Sequence, residues 1–306
     1  MRSTFSVLLL FTSSILCAQT AAEYFVTAQN DFQGENYRRA LKSYTKAIDL
    51  DKKNADYFFA RGKCFFQWGV FDNSKEDLDQ AIYLDSLHAD ALHYRAQYYF
   101  IIEHYKGCVN DNSLALSNTE NKELITACLL NRGEAKLMLK DAQGAYEDLK
   151  IGMGNNKSDL AAVRVMASVL HELKMHEEAL EYLDILIENE PRNIGARINK
   201  GFELDALGRY AEAVSAYDSA RIIDKDEPLV YSNRAHALYG LGQYESALKD
   251  VNKSIANQPL NAFAYHTRAQ IRIAQNNESK ACKDLNTAKK MGYSIEVNDL
   301  YDKHCR

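Results

Sequence analysis

The chain has 306 residues, 46% of them apolar and 26% charged, with 3 prolines, 14 glycines and a formal net charge of −5. So large an apolar share with so little net charge excludes a disordered chain, and so few prolines exclude collagen-like, mucin-like and proline-rich linker architectures. The mild acidity gives no reason to expect a nucleic-acid partner, because phosphate binding needs clustered lysine and arginine.

Residues 1–22 read as a secretory signal peptide. Arg2 supplies the positive start, Phe5 to Phe11 with Ile15 and Leu16 the apolar core, and Ala18, Ala21 and Ala22 the small residues of a cleavage region. Cleavage fits after Ala18 or after Ala22. Cys17 suggests a lipidation site, although Leu16 is larger than the residue that normally precedes a lipidated cysteine. No later stretch approaches the roughly 18 apolar residues of a membrane-crossing helix, so no direct membrane span is expected.

From residue 21 onward a period of 34 organises the chain. Small residues recur at Ala40, Ser74, Cys108, Ala145, Ala179, Ala213, Ala247 and Ala281, with one step of 37 before Ala145. Each is preceded twelve residues earlier by another small residue, from Ala28, Gly62 and Ala96 through to Ala269. Bulky residues flank both sets at helical spacing, so each unit reads as two amphipathic helices joined by a turn. Gly34, Gly69, Gly208 and Gly242 lie between the halves, and Pro191 and Pro259 between units. Small residues let two helices approach closely at their crossing. One unit cannot bury its apolar face alone, so neighbours must stack.

The segments "NKGFELDALGRYAEAVSAYDSARIID" (199–224) and "NRAHALYGLGQYESALKDVNKSIANQP" (233–259) resemble the tetratricopeptide repeat. The resemblance covers about 21–291 and implies an all-α, right-handed α-solenoid of about eight repeats: 21–54, 55–88, 89–122, 126–159, 160–193, 194–227, 228–261 and 262–295. Repeats 1–4 occupy 21–157 and repeats 5–8 occupy 158–293, with a looser Gly152–Asn156 segment between them. Residues 294–306, after Gly292, fit a C-terminal capping helix.

Counting from the start of each repeat, position 7 is Arg61, Arg95, Arg132, Arg234 and Arg268 in five repeats. Those same repeats carry Asp77, Asp111, Asp148, Asp250 and Asp284 at position 23. The match predicts an ion pair between the two helices of one unit, and arginines so neutralised are structural rather than ligand-binding. Cys282 and Cys305 lie nearly symmetrically about Gly292, so a cap helix folding back would join them in a disulfide. Cys108 sits at a helix crossing as a packed thiol, and Cys64 and Cys128 are not expected to join a disulfide. The eight histidines are scattered, and His171 and His176 are five apart, off the spacing of helical metal ligands. No metal, cofactor or catalytic motif stands out, and an enzyme is not expected.

In the tetratricopeptide family, positions 2, 5, 9, 12 and 13 of the inner helix face a concave groove. Carried over, this implies a partner-binding surface of Phe25, Phe32, Phe59, Lys63, Phe66, His93 and Phe100 in the first repeats, and Phe202, His236, Tyr239 and His266 in the last. Asn131, Asn199 and Asn233 share position 6, where an amide can hold a peptide backbone. The alternative for these aromatics is packing against the neighbouring repeat. The carboxylate clamp of some family members needs Lys and Asn at positions 5 and 9, Asn at position 6 of the next repeat, then Lys and Arg at positions 2 and 6. No three consecutive repeats supply that set; Arg164 followed by Asn199 is a fragment of it. The resulting expectation is an exported, non-catalytic scaffold or adaptor in a bacterial envelope, periplasmic or outer-membrane-associated, binding a protein or peptide and assisting secretion or complex assembly. The alternatives are a periplasmic or luminal co-chaperone holding unfolded segments, or an accessory subunit of an envelope enzyme. Nothing fixes the oligomeric state.

Overall fold

The computed structural model describes residues 19–293 and 295–305, which form seventeen α-helices and no strand. Residues 1–18 of the segment 1–22 expected to be a signal peptide, including Cys17, lie outside the described residues, as do Ser294 and Arg306. The chain divides into two compact units, residues 1–131 and 132–306. This boundary lies upstream of the 157/158 division expected from repeat arithmetic.

The first unit contains α1 (Ala21–Gln33), α2 (Tyr37–Leu50), α3 (Ala55–Gln67), α4 (Phe71–Leu84), α5 (Ala89–Ile101), α6 (Tyr105–Ser117) and the first part of α7 (Lys122–Met138). The three residues that lengthen the period before repeat 4 become an extra turn at the start of α7. Leu124 and Cys128 on that part of the helix pack with Leu92 and Ala115.

The second unit holds the rest of α7, then α8 (Ala142–Met153), α9 (Leu160–Glu172), α10 (His176–Asn189), α11 (Ile194–Ala206), α12 (Tyr210–Ile223), α13 (Pro228–Gly240), α14 (Tyr244–Asn257), α15 (Ala262–Ala274), α16 (Glu278–Lys290) and α17 (Ile295–His304).

The small residues lie where paired helices cross. Ala40, Ser74, Cys108, Ala145, Ala179, Ala213, Ala247 and Ala281 are fully buried. At the Gly201 crossing the Tyr217 ring approaches so closely that an added Cβ would stand 2.4 Å from it. The turn inside every repeat has one geometry. The fifteenth residue of each adopts positive φ, whether glycine (Gly69, Gly208, Gly242) or not (Glu35, Glu103, Lys140, Lys174, Asn276). The next backbone N–H then reaches back to the helix, as Arg209 N to Leu204 O at 2.8 Å. This is a Schellman-type closure, and the five non-glycine residues adopt it at a cost of about 1 kcal/mol each.

All five position-7 arginines form the same fork: Nε to one aspartate oxygen and Nη2 to the other, with closest approaches of 2.7 Å. The structure adds an arm that the pairing pattern did not contain. Nη1 turns to the second helix of the preceding repeat: Arg61 to Thr45 Oγ1 at 3.1 Å, Arg95 to Asp79 at 2.8 Å, Arg268 to Asn252 at 2.7 Å, and Arg234 to Asp218. Each of these four guanidinium groups therefore joins three helices. Burial pushes the Asp148 carboxyl up, but hydrogen bonds from Arg132 and Lys136 outweigh it and hold the group below its usual range.

At the C-terminus α17 buries Val297 against Ala281, Leu285 and Ala288. Cys282 and Cys305 are joined by a disulfide, their Cα atoms 5.6 Å apart.

Replacing Arg234 by Met should cost about 3–5 kcal/mol of unfolding free energy, because the buried Asp250 loses its counter-charge. The double change Arg234→Met, Asp250→Leu should recover most of that loss in urea unfolding.

Candidate functional site

In the first unit, Phe25 and Phe32 on α1 and Phe59 and Lys63 on α3 line one groove of about 640 Å³. The seven-residue separation of Phe25 and Phe32 puts both on one helix face, with Gln29 between them. The Thr20 side chain and Glu23 cap α1 reciprocally, which fixes where the helix begins.

Each ring is held by neighbours. Phe25 lies 4.8 Å from the Tyr57 ring and 5.7 Å from that of Tyr44. Phe59 lies 4.9 Å from the His88 ring and 5.7 Å from that of Tyr94. Lys63 Nζ is 5.8 Å from the Phe32 ring centre and 5.5 Å from that of Tyr94, within cation–π range. Burial, then Cys64, pushes the Tyr44 hydroxyl up to about 12, so it stays protonated. Gln29, Gln33 and Asp56 complete the wall. The groove can stack apolar or aromatic side chains and offers amides to a peptide backbone.

Two residues expected on this surface are half-buried against neighbouring rings, and two turn inward. Phe66 packs edge-on to Phe71 and Tyr94, at 5.4 and 5.6 Å. Phe100 packs against Tyr105 at 5.5 Å. His93 is only 4% exposed. Asn131 accepts from Asn112 Nδ2 at 2.8 Å, its carbonyl oxygen turned inward. These last two belong to one buried network. Asn112 donates through Nδ2 to Cys108 O as well, so its oxygen must be the acceptor facing His93 Nδ1 at 2.9 Å. That places the proton on Nδ1 and leaves Nε2 to accept from Gln97 at 2.8 Å. Cys128 Sγ lies 3.4 Å from Nδ1.

In the second unit Asn199 and Phe202 line a cavity of about 420 Å³ with His171, Ser168 and Glu203. Phe202 is 44% exposed and stacks edge-on to His171 at 5.0 Å. Glu203 is 2% exposed; its two oxygens meet His171 Nδ1 at 2.7 Å and His176 Nδ1 at 2.6 Å. The two histidines thus converge on a carboxylate. His236 meets Asp205 at 2.7 Å and stacks on Phe263 at 5.7 Å, with Tyr239 beside it. Asn233 is half-buried on α13, whereas His266 is buried and stacks on Tyr293 at 5.3 Å, outside any open surface. Sequence reasoning missed Glu203. A signal was present: position 10, otherwise Asn30, Cys64, Tyr98, Ala135, Val169, Ala237 and Ile271, is never charged in another repeat.

A family model described as TPR repeat matches residues 29–69. The Hsp70-Hsp90 organizing protein of Triticum aestivum is 22% identical over 275 residues, covering 89% of this chain and 40% of the relative. DnaJ homolog subfamily C member 3 of Gallus gallus is 24% identical over 289 residues, covering 82% of this chain and 55% of the relative. The chain thus spans less than two thirds of either relative. A solved structure of Pseudomonas aeruginosa pilF has the same fold, with a TM-score of 0.57 at 18% identity, covering 70% of this chain and 96% of that one. Residues 29–69 thus match the tetratricopeptide repeat, whose proteins are protein-interaction scaffolds, and the chain as a whole has the fold of such repeats.

Burial lowers the His93 pKa below the ordinary imidazole value, with Asn112 and Asp90 opposing it. The unfolded chain therefore takes up the proton first. Stability from this site is complete above about pH 7 and is lost as the pH falls through 6.5 toward the lower folded value. The urea midpoint should fall more steeply between about pH 7.5 and 5.5 in the parent than in His93→Gln.

Proposed function

We propose that this chain is a non-catalytic scaffold that holds a segment of a partner protein in the groove of its first unit. The observation that carries this reading is the shared wall of Phe25, Phe32, Phe59 and Lys63 with two glutamines. Held aromatic faces with adjacent amides suit an extended peptide bearing apolar side chains. A second reading, a co-chaperone that retains many unfolded segments, draws support from the names of the two relatives, an organizing protein for Hsp70 and Hsp90 and a DnaJ homologue. The chain offers no complete carboxylate clamp, so recognition of the kind that clamp performs is not part of either reading.

Phe32→Ala with Lys63→Ala removes groove contacts while leaving the helix crossings intact. In cross-linked pull-downs the double variant should lose one dominant partner, with its helical circular dichroism spectrum unchanged. A broad set of clients reduced together would favour the co-chaperone; an unchanged partner list would reject the groove.

We also place the mature chain outside the cytoplasm, in the bacterial envelope, on the strength of the signal-like residues 1–22. Thr20 caps α1, and cleavage after Ala22 would remove that cap and the first two residues of the helix. Cleavage after Ala18 preserves both. N-terminal sequencing of the exported protein should begin at Gln19 or its cyclised form; an intact Met1 would reject export by this route.

A further inference from the structure

Repeat 6 departs from the period at four positions that meet in space. Position 4, apolar or aromatic in the other repeats, is Arg197. Position 7 is Lys200 and position 23 is Ala216, where five repeats have the arginine–aspartate fork. Position 22, a longer polar residue elsewhere, is Ser215. All four line a cavity of about 330 Å³ bounded by α10, α11 and α12, with Ser219 beside them. The void lies where the fork stands in other repeats: the small Ala216 side chain replaces the carboxylate, Lys200 replaces the arginine, and Arg197 adds a second cation.

The charges around the cavity are unequally matched. Lys200 Nζ holds Asp184 at 2.5 Å, and Glu212 is held by Arg209 at 2.6 Å. Arg197 has neutral acceptors: Ser219 Oγ at 3.2 Å from Nη1 and the Pro191 carbonyl at 2.8 Å from Nη2. Its Nε is buried and has no acceptor. A guanidinium so placed carries an unneutralised charge beside an open volume.

We propose that this cavity binds a carboxylate group, which takes the place of the aspartate missing from repeat 6 and is held by Arg197 and Lys200. The group comes either from a free small carboxylate or from an acidic side chain of a partner. The inference is independent of the groove in the first unit.

The full mature chain is titrated with succinate, with a tetraglutamate peptide and, at matched ionic strength, with chloride, while the Arg197 Nε–Hε resonance is followed by NMR. A saturable shift with a carboxylate but not with chloride is expected. Arg197→Met should abolish the succinate- and peptide-dependent gain in thermal midpoint. Ala216→Asp with Lys200→Arg rebuilds the fork, so it should raise the midpoint without ligand and weaken carboxylate binding by at least about tenfold. Tighter succinate binding assigns the site to a free carboxylate; tighter peptide binding assigns it to a partner's side chain. A shift that follows chloride, or undiminished saturable binding in the rebuilt variant, overturns the proposal.

Discussion

Two helices that cross over small residues bring their backbones close together, and the rest of this structure follows from that approach. Beside each tight crossing the position-7 and position-23 side chains are also brought within reach. In five repeats they are an arginine and an aspartate, largely shielded from water. A buried fork of this kind adds little net stability over an apolar pair, but losing one partner is costly. Its value here lies in direction. The planar guanidinium satisfies its own repeat with Nε and Nη2 and has Nη1 left to reach the helix behind it. One side chain thereby sets the angle within a repeat and its contact with the previous one. Lys200 shows the division of labour: with Ala216 in place of the aspartate it keeps only the backward contact, to Asp184.

The fold was legible because its signal repeats. A small residue at a crossing is uninformative once and decisive when it returns at a fixed interval. The turns were legible only in part. Glycine marked three of the positive-φ residues, but Glu35, Glu103, Lys140, Lys174 and Asn276 adopt the same conformation without a compositional sign. Gly34, although it lies between the two halves of its repeat, has φ of −84° and stands one residue before the position that needs the freedom. The backward arm of the arginines was hidden for a different reason. Its acceptors are Thr45, Asp79, Asp218 and Asn252, chemically mixed residues that no single-residue pattern collects.

The candidate site was less legible because aromatic residues at helical spacing serve two purposes. Phe32 and Phe66 occupy equivalent positions in consecutive repeats. Phe32 borders an open groove and packs on Tyr37 of its own repeat, whereas Phe66 packs on Phe71 of its own repeat and also on Tyr94 of the next. The difference comes from Tyr94, not from either phenylalanine. His93 and Asn131 followed the same logic: a polar residue at a groove position turns inward when Asn112, itself polar at a core position, offers it a partner. Asn112 stands where the other repeats have leucine, valine or tyrosine, so the break in pattern was visible while its consequence on the facing helices was not.

The remaining open aromatics are fixed before any ligand arrives. Phe25 is braced by Tyr44 and Tyr57, Phe59 by His88 and Tyr94, and Phe32 by the Lys63 ammonium. A side chain already confined to one rotamer gives up little entropy on binding, so its apolar surface contributes more fully to affinity. The neighbours that partly bury these rings thus also make them efficient contacts. The same bracing restricts what the groove could accept: its walls are set by the repeat framework, and on the proposed reading a partner brings an extended segment that fits between them.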